Sequence, residues 1–153
     1  MTVNKDNFYN WQHGTRVDEA RFRKASPNLG VLKGEVMKRW GGTSLGLLSK
    51  RTIRGGSDLS SHFFGAAWDW RYPSRAKGLE VIKFIVANSE ELGVQAIHDY
   101  VGSTIWRAGR GWKKQSADSS GMGQKWATWI HVETTKSDWG NSKSFAARGI
   151  ILP

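Results

Sequence analysis

The segment Ser60–Asp69 contains two side chains of the kind that bind metals. It reads Ser-Ser-His-Phe-Phe-Gly-Ala-Ala-Trp-Asp, so that an imidazole, His62, and a carboxylate, Asp69, stand seven residues apart. Each can offer one ligand atom to zinc, because protein zinc sites are built from cysteine, histidine and carboxylate side chains. Gly65 and Ala67 are small, which suits a segment that must fold back so that both side chains point at one ion. The segment therefore predicts two ligands of one metal site.

Five positions of this segment follow the pattern Ser-x-His-x-x-Gly-x-Ala-x-Asp. The pattern resembles the zinc motif of the LAS group of peptidases. That group includes D-alanyl-D-alanine carboxypeptidases and dipeptidases, phage L-alanyl-D-glutamate endopeptidases, lysostaphin-type enzymes and the Hedgehog signalling domain. The resemblance implies that His62 and Asp69 bind zinc and that a second histidine, on a strand much later in the chain, completes the site. It extends from about Gly34 to Trp139, and the two metal-binding segments are its specific parts.

The best candidate for the second histidine is His131, in the segment 128–133, which reads Thr-Trp-Ile-His-Val-Glu. This segment resembles the family's strand, in which an acidic residue stands three positions before the histidine. Here that position holds Thr128. Upstream of the first motif, Arg54 resembles the family's arginine that holds a substrate carboxylate, and its near neighbour Arg51 is the alternative.

His62, Asp69 and His131 together form the ligand set of a catalytic zinc site. Such a site usually has three protein ligands and a fourth position for water. Zinc lowers the pKa of that water to about 7 and polarises a peptide carbonyl, which is what amide hydrolysis needs. The alternative without a metal is that His62 is a capping or core histidine and Asp69 a turn residue.

The weak point of a catalytic interpretation is proton transfer. The hydroxyl of Thr128 has too high a pKa to take a proton near neutral pH, and losing a positioned base lowers a rate by about 10²–10⁴. Glu133 and His98 are the candidate substitutes, with Asp99 beside His98. Glu133 shares a strand face with His131, where a carboxylate more often orients a ligand histidine. His98 is alternatively an ordinary histidine at a strand end. A catalytically impaired domain that keeps zinc and binds cell wall is therefore the second hypothesis.

Composition limits the class of protein and its partners. A chain of 153 residues suffices for one domain with a single core. Its net charge of +10 and pI near 10.2 attract it to polyanions. An anionic bacterial envelope satisfies this charge, and nucleic acid is the less favoured partner because the basic residues are spread along the chain and form no nucleic-acid motif. The chain has no cysteine, so it has neither disulfides nor thiolate ligands. No stretch is apolar enough to span a bilayer, and the N-terminus has no signal-peptide core.

The tryptophans raise the question of a glycan-handling protein. Most of the nine are expected in the core, and alternation on a strand would turn Trp68 and Trp70 away from Asp69 and into it. Exposed tryptophans near the cleft could stack on sugar rings. A glycosidase, however, needs two placed carboxylates, and no paired acidic motif occurs among the thirteen acidic residues.

The residue pattern predicts an α+β fold in one domain, residues 1–153, with a small antiparallel sheet that carries the metal site and is flanked by helices. We expect Pro27 to separate the first two helices and Gly93 to end the third. Residues 108–125 are expected to form a loop that overhangs the cleft. The predicted helices are Asp18–Lys24, Leu29–Arg39 and Gly78–Leu92. The predicted strands are a short one within Leu45–Ile53, then Val94–His98 and Thr104–Arg107, joined as a hairpin through Gly102, and finally the strand of His131.

The sequence thus predicts a zinc peptidase that acts on peptidoglycan stem peptides, and the resemblance implies a phage endolysin or tail-associated lysin. His62, Asp69 and His131 are predicted to hold Zn²⁺, Arg54 to hold a carboxylate, and Glu133 or His98 to transfer protons. Because no signal peptide is evident, we expect the protein in the host cytoplasm before release to the cell wall, or in the virion. A basic nucleic-acid-binding domain is the third hypothesis.

Overall fold

The computed structural model describes residues 8–11, 21–48 and 60–153. These residues form the predicted α+β fold, built on a six-stranded antiparallel sheet. The elements in chain order are α1 (Pro27–Trp40), β1 (Thr43–Gly46), β2 (Ala67–Arg71), α2 (Arg75–Ala87), α3 (Ser89–Leu92), β3 (Val94–Asp99), β4 (Thr104–Arg107), β5 (Gly111–Lys114) and β6 (Trp129–Thr134), with 3₁₀ turns at Ser61–Phe64 and Ala146–Arg148.

The sheet has the strand order β1-β2-β6-β3-β4-β5, and each neighbouring pair is antiparallel. Helices α1 and α2 cover one face, which we call the core face. The side chains packed there bury a large apolar area, the main favourable term in folding. The buried cluster combines residues of α1 (Leu29, Leu32, Val36, Trp40), of α2 (Val81, Ile82, Phe84, Ile85) and of the sheet (Trp68, Trp70, Ile97, Trp106, Ile130, Val132).

Helix α1 begins two residues before the predicted start because of its cap. The Ser26 hydroxyl accepts a hydrogen bond from the backbone N–H of Leu29, and Pro27 takes the first helical position, where its missing N–H costs nothing. Gly41 ends the helix with φ of 77°, a left-handed value that glycine adopts without strain. Pro27 therefore starts a helix, as well as separating it from the preceding segment.

The single helix predicted over Gly78–Leu92 is two helices. Helix α2 starts at Arg75 under a cap from Ser74, and the chain breaks at Asn88 before α3. The Asn88 side-chain amide donates to the Phe84 carbonyl, which also accepts the helical hydrogen bond from the Asn88 N–H. The Asn88 backbone leaves the helical range, with φ of −114° and ψ of 22°, at a residue type that commonly forms such local side-chain bonds. Gly93 ends α3, as predicted.

The strands confirm part of the prediction. β3 and β4 form the predicted hairpin, whereas the expected loop over residues 108–125 contains β5. All four residues of β5 are exposed, so it lacks the apolar alternation that identifies a strand. β1, at Thr43–Gly46, overlaps the first two residues of the range Leu45–Ile53 in which a short strand is predicted, and residues 49–53 of that range lie outside the described part of the chain.

Some predicted elements fall outside the described residues. Arg51 and Arg54 do, and so do the first three residues of the helix predicted at Asp18–Lys24, of which residues 22–24 are not helical. Across the part of the chain that is described, no helix has both the length and the apolar composition needed to cross a bilayer.

Candidate metal centre

The motif folds into a tight turn followed by a strand. The Ser60 hydroxyl accepts a hydrogen bond from the backbone N–H of His62 at 3.2 Å and starts the 3₁₀ turn. Gly65 ends it with φ of 60°, and a Cβ there would collide with the carbonyl of Lys24. The position therefore requires glycine, which explains one of the small residues of the motif. Strand β2 follows directly and carries Asp69.

The strand register brings distant residues into one row across the sheet. Asp69 of β2 lies opposite His131 of β6, and His131 lies opposite His98 of β3. Because side chains alternate along a strand, Glu133 lies on the same face, which we call the site face. Trp68 and Trp70 point to the core face and are fully buried, as predicted.

Asp69 joins the two histidines of the predicted ligand set. Its Oδ2 lies 3.1 Å from His62 Nε2, and its Oδ1 lies 3.1 Å from His131 Nδ1. One ligand atom from each of these three residues falls within 4.8 Å of the others. Two ligands at 2.0–2.1 Å from a tetrahedral zinc lie about 3.3 Å apart. The donor types and their spacing therefore fit one zinc ion.

Glu133 lies on the opposite side of the His131 ring from Asp69. Its Oε2 is 2.9 Å from His131 Nε2, and its Oε1 accepts a hydrogen bond from the Gln95 side chain at 3.3 Å. A histidine that binds a metal through one nitrogen usually donates the other N–H to such a carboxylate, which fixes the ring. Glu133 is thus placed to orient His131. Gln95 could not be recognised as a functional residue beforehand, because it lies in an apolar run that indicates only a strand.

A second group of donor atoms overlaps the first. His98, His131 and Glu133 also offer atoms within 4.8 Å of one another, with His98 Nε2 3.9 Å from Glu133 Oε2. A neutral imidazole has one nitrogen free to bind a metal, so the two groups compete for His131. The group with His62 and Asp69 is favoured, because all three of its residues line one open cleft whereas Glu133 does not.

In the candidate metal centre, a positively charged histidine lies between two negatively charged carboxylates. Burial lowers the pKa of His131, but hydrogen bonds to Asp69 and Glu133 outweigh it and raise that pKa to about 10. Burial raises the pKa of Glu133, but its hydrogen bond with His131 brings the pKa down to about 2. Burial likewise raises the pKa of Asp69, and hydrogen bonds with both histidines hold it well below the usual range. Burial, with the charge of His131 beside it, lowers the pKa of His98 to about 3. The positive His131 is therefore matched by carboxylates on both sides.

The ligand residues form one side of a cleft of about 430 Å³. His98 also borders a smaller pocket of about 210 Å³ on the same face. The cleft is lined by Leu45, Ser60, Ser61, His62, Asp69, Arg71, His98, Tyr100, Ser120, Trp126, Trp129 and His131, and the smaller pocket by Phe8, Asn10, Trp11, Ala96, His98, Arg107, Arg110 and Glu133.

The remaining residues predicted for the site are not found among the described residues that line the cleft. Thr128 lies just before β6 and is not among the described residues that line the cleft. Asp99, considered as a substitute base, is buried in an ion pair with Arg75, with N–O distances of 2.7 and 2.8 Å. Arg54 is outside the described residues, so the structure does not test its role.

Comparison of the chain with protein-family models, with curated proteins and with solved structures found no match. The resemblance to the LAS group therefore stays a prediction from the motif. The support for the candidate metal centre is the spacing of the donor atoms themselves.

Proposed function

We propose that this protein is a zinc-dependent peptidase of the LAS type that hydrolyses peptide bonds in bacterial peptidoglycan. The observation that carries the proposal is the convergence of three donor atoms, from His62, Asp69 and His131, in a cleft of about 430 Å³. Three protein ligands from histidine and carboxylate, next to open space for substrate, are typical of catalytic zinc and differ from the closed four-ligand sites of structural zinc.

Each residue of the site would have a separate role in hydrolysis. Bound zinc would supply Lewis acidity, polarising a carbonyl and acidifying water. His62, Asp69 and His131 would hold the ion, and Glu133 would keep the His131 ring in place. His98 stacks on His131 with ring centroids 4.4 Å apart and lines the cleft. It is the described side chain best placed to accept a proton there, although a pKa of about 3 makes it a weak base.

The substrate class and setting follow from the motif and the charge. A net charge of +10 would concentrate the enzyme on an anionic envelope, where stem peptides are the substrate that the LAS resemblance implies. A phage endolysin or tail-associated lysin fits this combination. Such a protein would lie in the host cytoplasm before release to the cell wall, or in the virion.

A second candidate function is a zinc domain that binds cell wall without cutting it. Among the described lining residues of the cleft, Asp69 is the sole carboxylate, and the metal would occupy it. Glu133 faces the far side of His131. This part of the cleft thus lacks the free acidic base of a fast peptidase, which favours an impaired enzyme.

Metal analysis comes first among the tests. We expect about one zinc per chain, lost in His62→Ala and retained in Glu90→Ala, which changes an exposed carboxylate on α3. A wild-type protein without tightly bound zinc would exclude both candidate functions.

Incubation with purified peptidoglycan then separates the two candidates. Newly freed amino groups, absent with His62→Ala, indicate the peptidase. Sedimentation of the zinc protein with peptidoglycan but no freed amino groups indicates the binding domain. Since Thr128 does not line the described part of the cleft, we expect Thr128→Glu to leave the release unchanged. An increase would place Thr128 at the vacant base position after all.

A further inference from the structure

Three aromatic side chains form one wall of the cleft, and we call Tyr100, Trp129 and Trp126 the aromatic wall. The ring centroids of Tyr100 and Trp129 are 5.2 Å apart, and those of Trp129 and Trp126 are 5.7 Å apart. All three line the same cleft as Asp69 and His131. Trp126 is 57% exposed, although tryptophan is among the more buried residue types on average. An exposed indole beside a candidate metal centre is a candidate binding surface.

The loop that carries Trp126 is braced at several points. The backbone N–H of Gln115 donates to the Ser103 carbonyl, and the Ser103 hydroxyl donates back to the Gln115 carbonyl. The N–H of Gly123 donates to the carbonyl of Tyr100, itself part of the wall. These bonds fix both ends of the loop to the β3–β4 hairpin.

The middle of the loop is organised by one carboxylate. Asp118 Oδ1 accepts hydrogen bonds from the backbone N–H and the hydroxyl of Ser120 and from the N–H of Met122. These bonds hold the backbone on the N-terminal side of Trp126, and the Trp126 ring lies against the Trp129 ring, so part of its position is set before any ligand arrives, which lowers the entropic cost of binding.

The groups around the wall indicate which kind of ligand fits it. Arg71 and Ser120 border the cleft together with the wall, so hydrogen-bonding groups lie in the same cleft as flat apolar rings. A hydrophobic side chain of a peptide is best bound in an apolar enclosure, whereas Leu45 is the sole aliphatic residue among the described residues that line this cleft. A pyranose ring suits the wall better, because its C–H face can lie on an indole while its hydroxyl and amide groups reach the border.

We propose that the aromatic wall binds the N-acetylated sugar chain of peptidoglycan, next to a stem peptide held at the metal centre. This inference rests on the proposed function, since it makes the glycan and its attached peptide parts of one substrate. It adds a recognition step that the metal centre does not need, namely binding of a sugar oligomer that has no peptide.

The test uses a peptide-free oligomer, tetra-N-acetylchitotetraose, titrated into the full chain while intrinsic tryptophan fluorescence and amide NMR shifts are recorded. We expect saturable binding that Trp126→Ala weakens by about tenfold or more, since the change removes the exposed ring on which the sugar stacks. Trp126→Tyr, which retains an aromatic ring, should keep part of the affinity. The matched control is Trp112→Ala, a 44% exposed tryptophan on β5 that packs beside α2 on the core face, and it should bind as the wild type does.

Each outcome has a defined meaning. Absence of saturable binding by the folded wild type, or an equal loss in Trp112→Ala, overturns the inference. So does a wild type that binds a sugar-free stem peptide through Trp126 but not the sugar oligomer. Peptide cleavage without sugar binding overturns this inference and leaves the proposed function standing. Sugar binding that Trp126→Ala abolishes, in a protein without zinc or cleavage, supports the wall and overturns the peptidase.

Discussion

The two faces of the sheet are built from alternating residues of the same strands, yet they serve different purposes. In β2, Trp68 and Trp70 are fully buried on the core face, whereas Asp69 between them points to the site face and contacts two histidines. In β6, Ile130 and Val132 join the same core, while the histidine between them, His131, contacts Asp69 and Glu133 in the candidate metal centre. Neighbouring residues of one strand therefore differ in role, because one packs in the core and the next faces the candidate site.

The difference shows how a small domain can bury charges. On the core face, the burial of apolar side chains stabilises the fold. On the site face, Asp69, His131 and Glu133 are nearly as buried, but each has a charged partner within about 3 Å, and burial of a charge is tolerable when it is paired and hydrogen-bonded. Throughout the described residues, no buried side-chain nitrogen or oxygen lacks a hydrogen bond. Substitutions on the core face should therefore reduce stability most, and those on the site face should act chiefly on metal binding.

The largest expected effect on stability is that of Trp68→Ala. It removes a fully buried indole and its hydrogen bond to Ser44, so we expect a loss of about 3–5 kcal/mol in the free energy of unfolding. Urea denaturation followed by circular dichroism measures it. The exposed Trp126→Ala should stay within about 0.5 kcal/mol of the wild type, and equal losses for both variants would contradict the division of the two faces.

Asp69→Ala should remove metal binding while the core face keeps the protein folded. Asp69 contacts both ligand histidines, and changes to residues behind a metal's ligands already cost 10–100-fold in affinity, so loss of a ligand should exceed about 100-fold. Competition with a chromophoric chelator measures the zinc affinity, and Glu90→Ala is the control. If Asp69→Ala bound zinc as tightly as the wild type, the zinc site would have to be the other donor group, His98, His131 and Glu133.

Glu133→Gln should have a smaller effect on zinc, a loss of about 10–100-fold in affinity, because it weakens the carboxylate support of His131 without removing a ligand. The same chelator assay measures it, with circular dichroism to confirm the fold. If Glu133→Gln instead abolishes hydrolysis at unchanged zinc affinity, Glu133 is the catalytic base and not a positioning residue.

The pH dependence should be the most gradual effect, at most about 1.4 kcal/mol for each pH unit and each proton. In the presence of a chelator, folded His131 keeps its proton up to pH about 10, while the unfolded chain loses it near 6.5. The stability from this group is therefore complete below pH 6.5 and declines as the pH rises towards 10. His98 acts in the opposite sense, because its folded pKa of about 3 makes stability fall as the pH drops below 6.5.

The stability of the metal-free protein should consequently be highest near pH 6.5, as measured by urea denaturation in steps of one pH unit. Saturating zinc should remove the alkaline decline, since the metal displaces protons from its ligands. A stability that rises from pH 7 to 9 with chelator present would show that His131 is not held between the two carboxylates.

Local patterns predicted a large part of the fold. Helix α1 and the β3–β4 hairpin lie where the apolar period and the turn residues placed them. The prediction was wrong where local signals were weak. The exposed strand β5 lacks a period, and the break at Asn88 is a change in the backbone angles of one residue, accompanied by a local side-chain hydrogen bond. Neither feature can be recognised from hydrophobicity.

The sequence by itself determined that His62 and Asp69 belong to one site, because a capped turn and a strand separated by Gly65 are local structures set by neighbouring residues. The tertiary structure alone decided which distant residues complete that site. The pairing of β2, β6 and β3 brought His131, 62 positions from Asp69, into contact with it. The same pairing placed Glu133 within hydrogen-bonding distance of the His131 ring. Asp99, in contrast, forms an ion pair with Arg75. Strand register depends on how whole faces pack, which no single segment specifies.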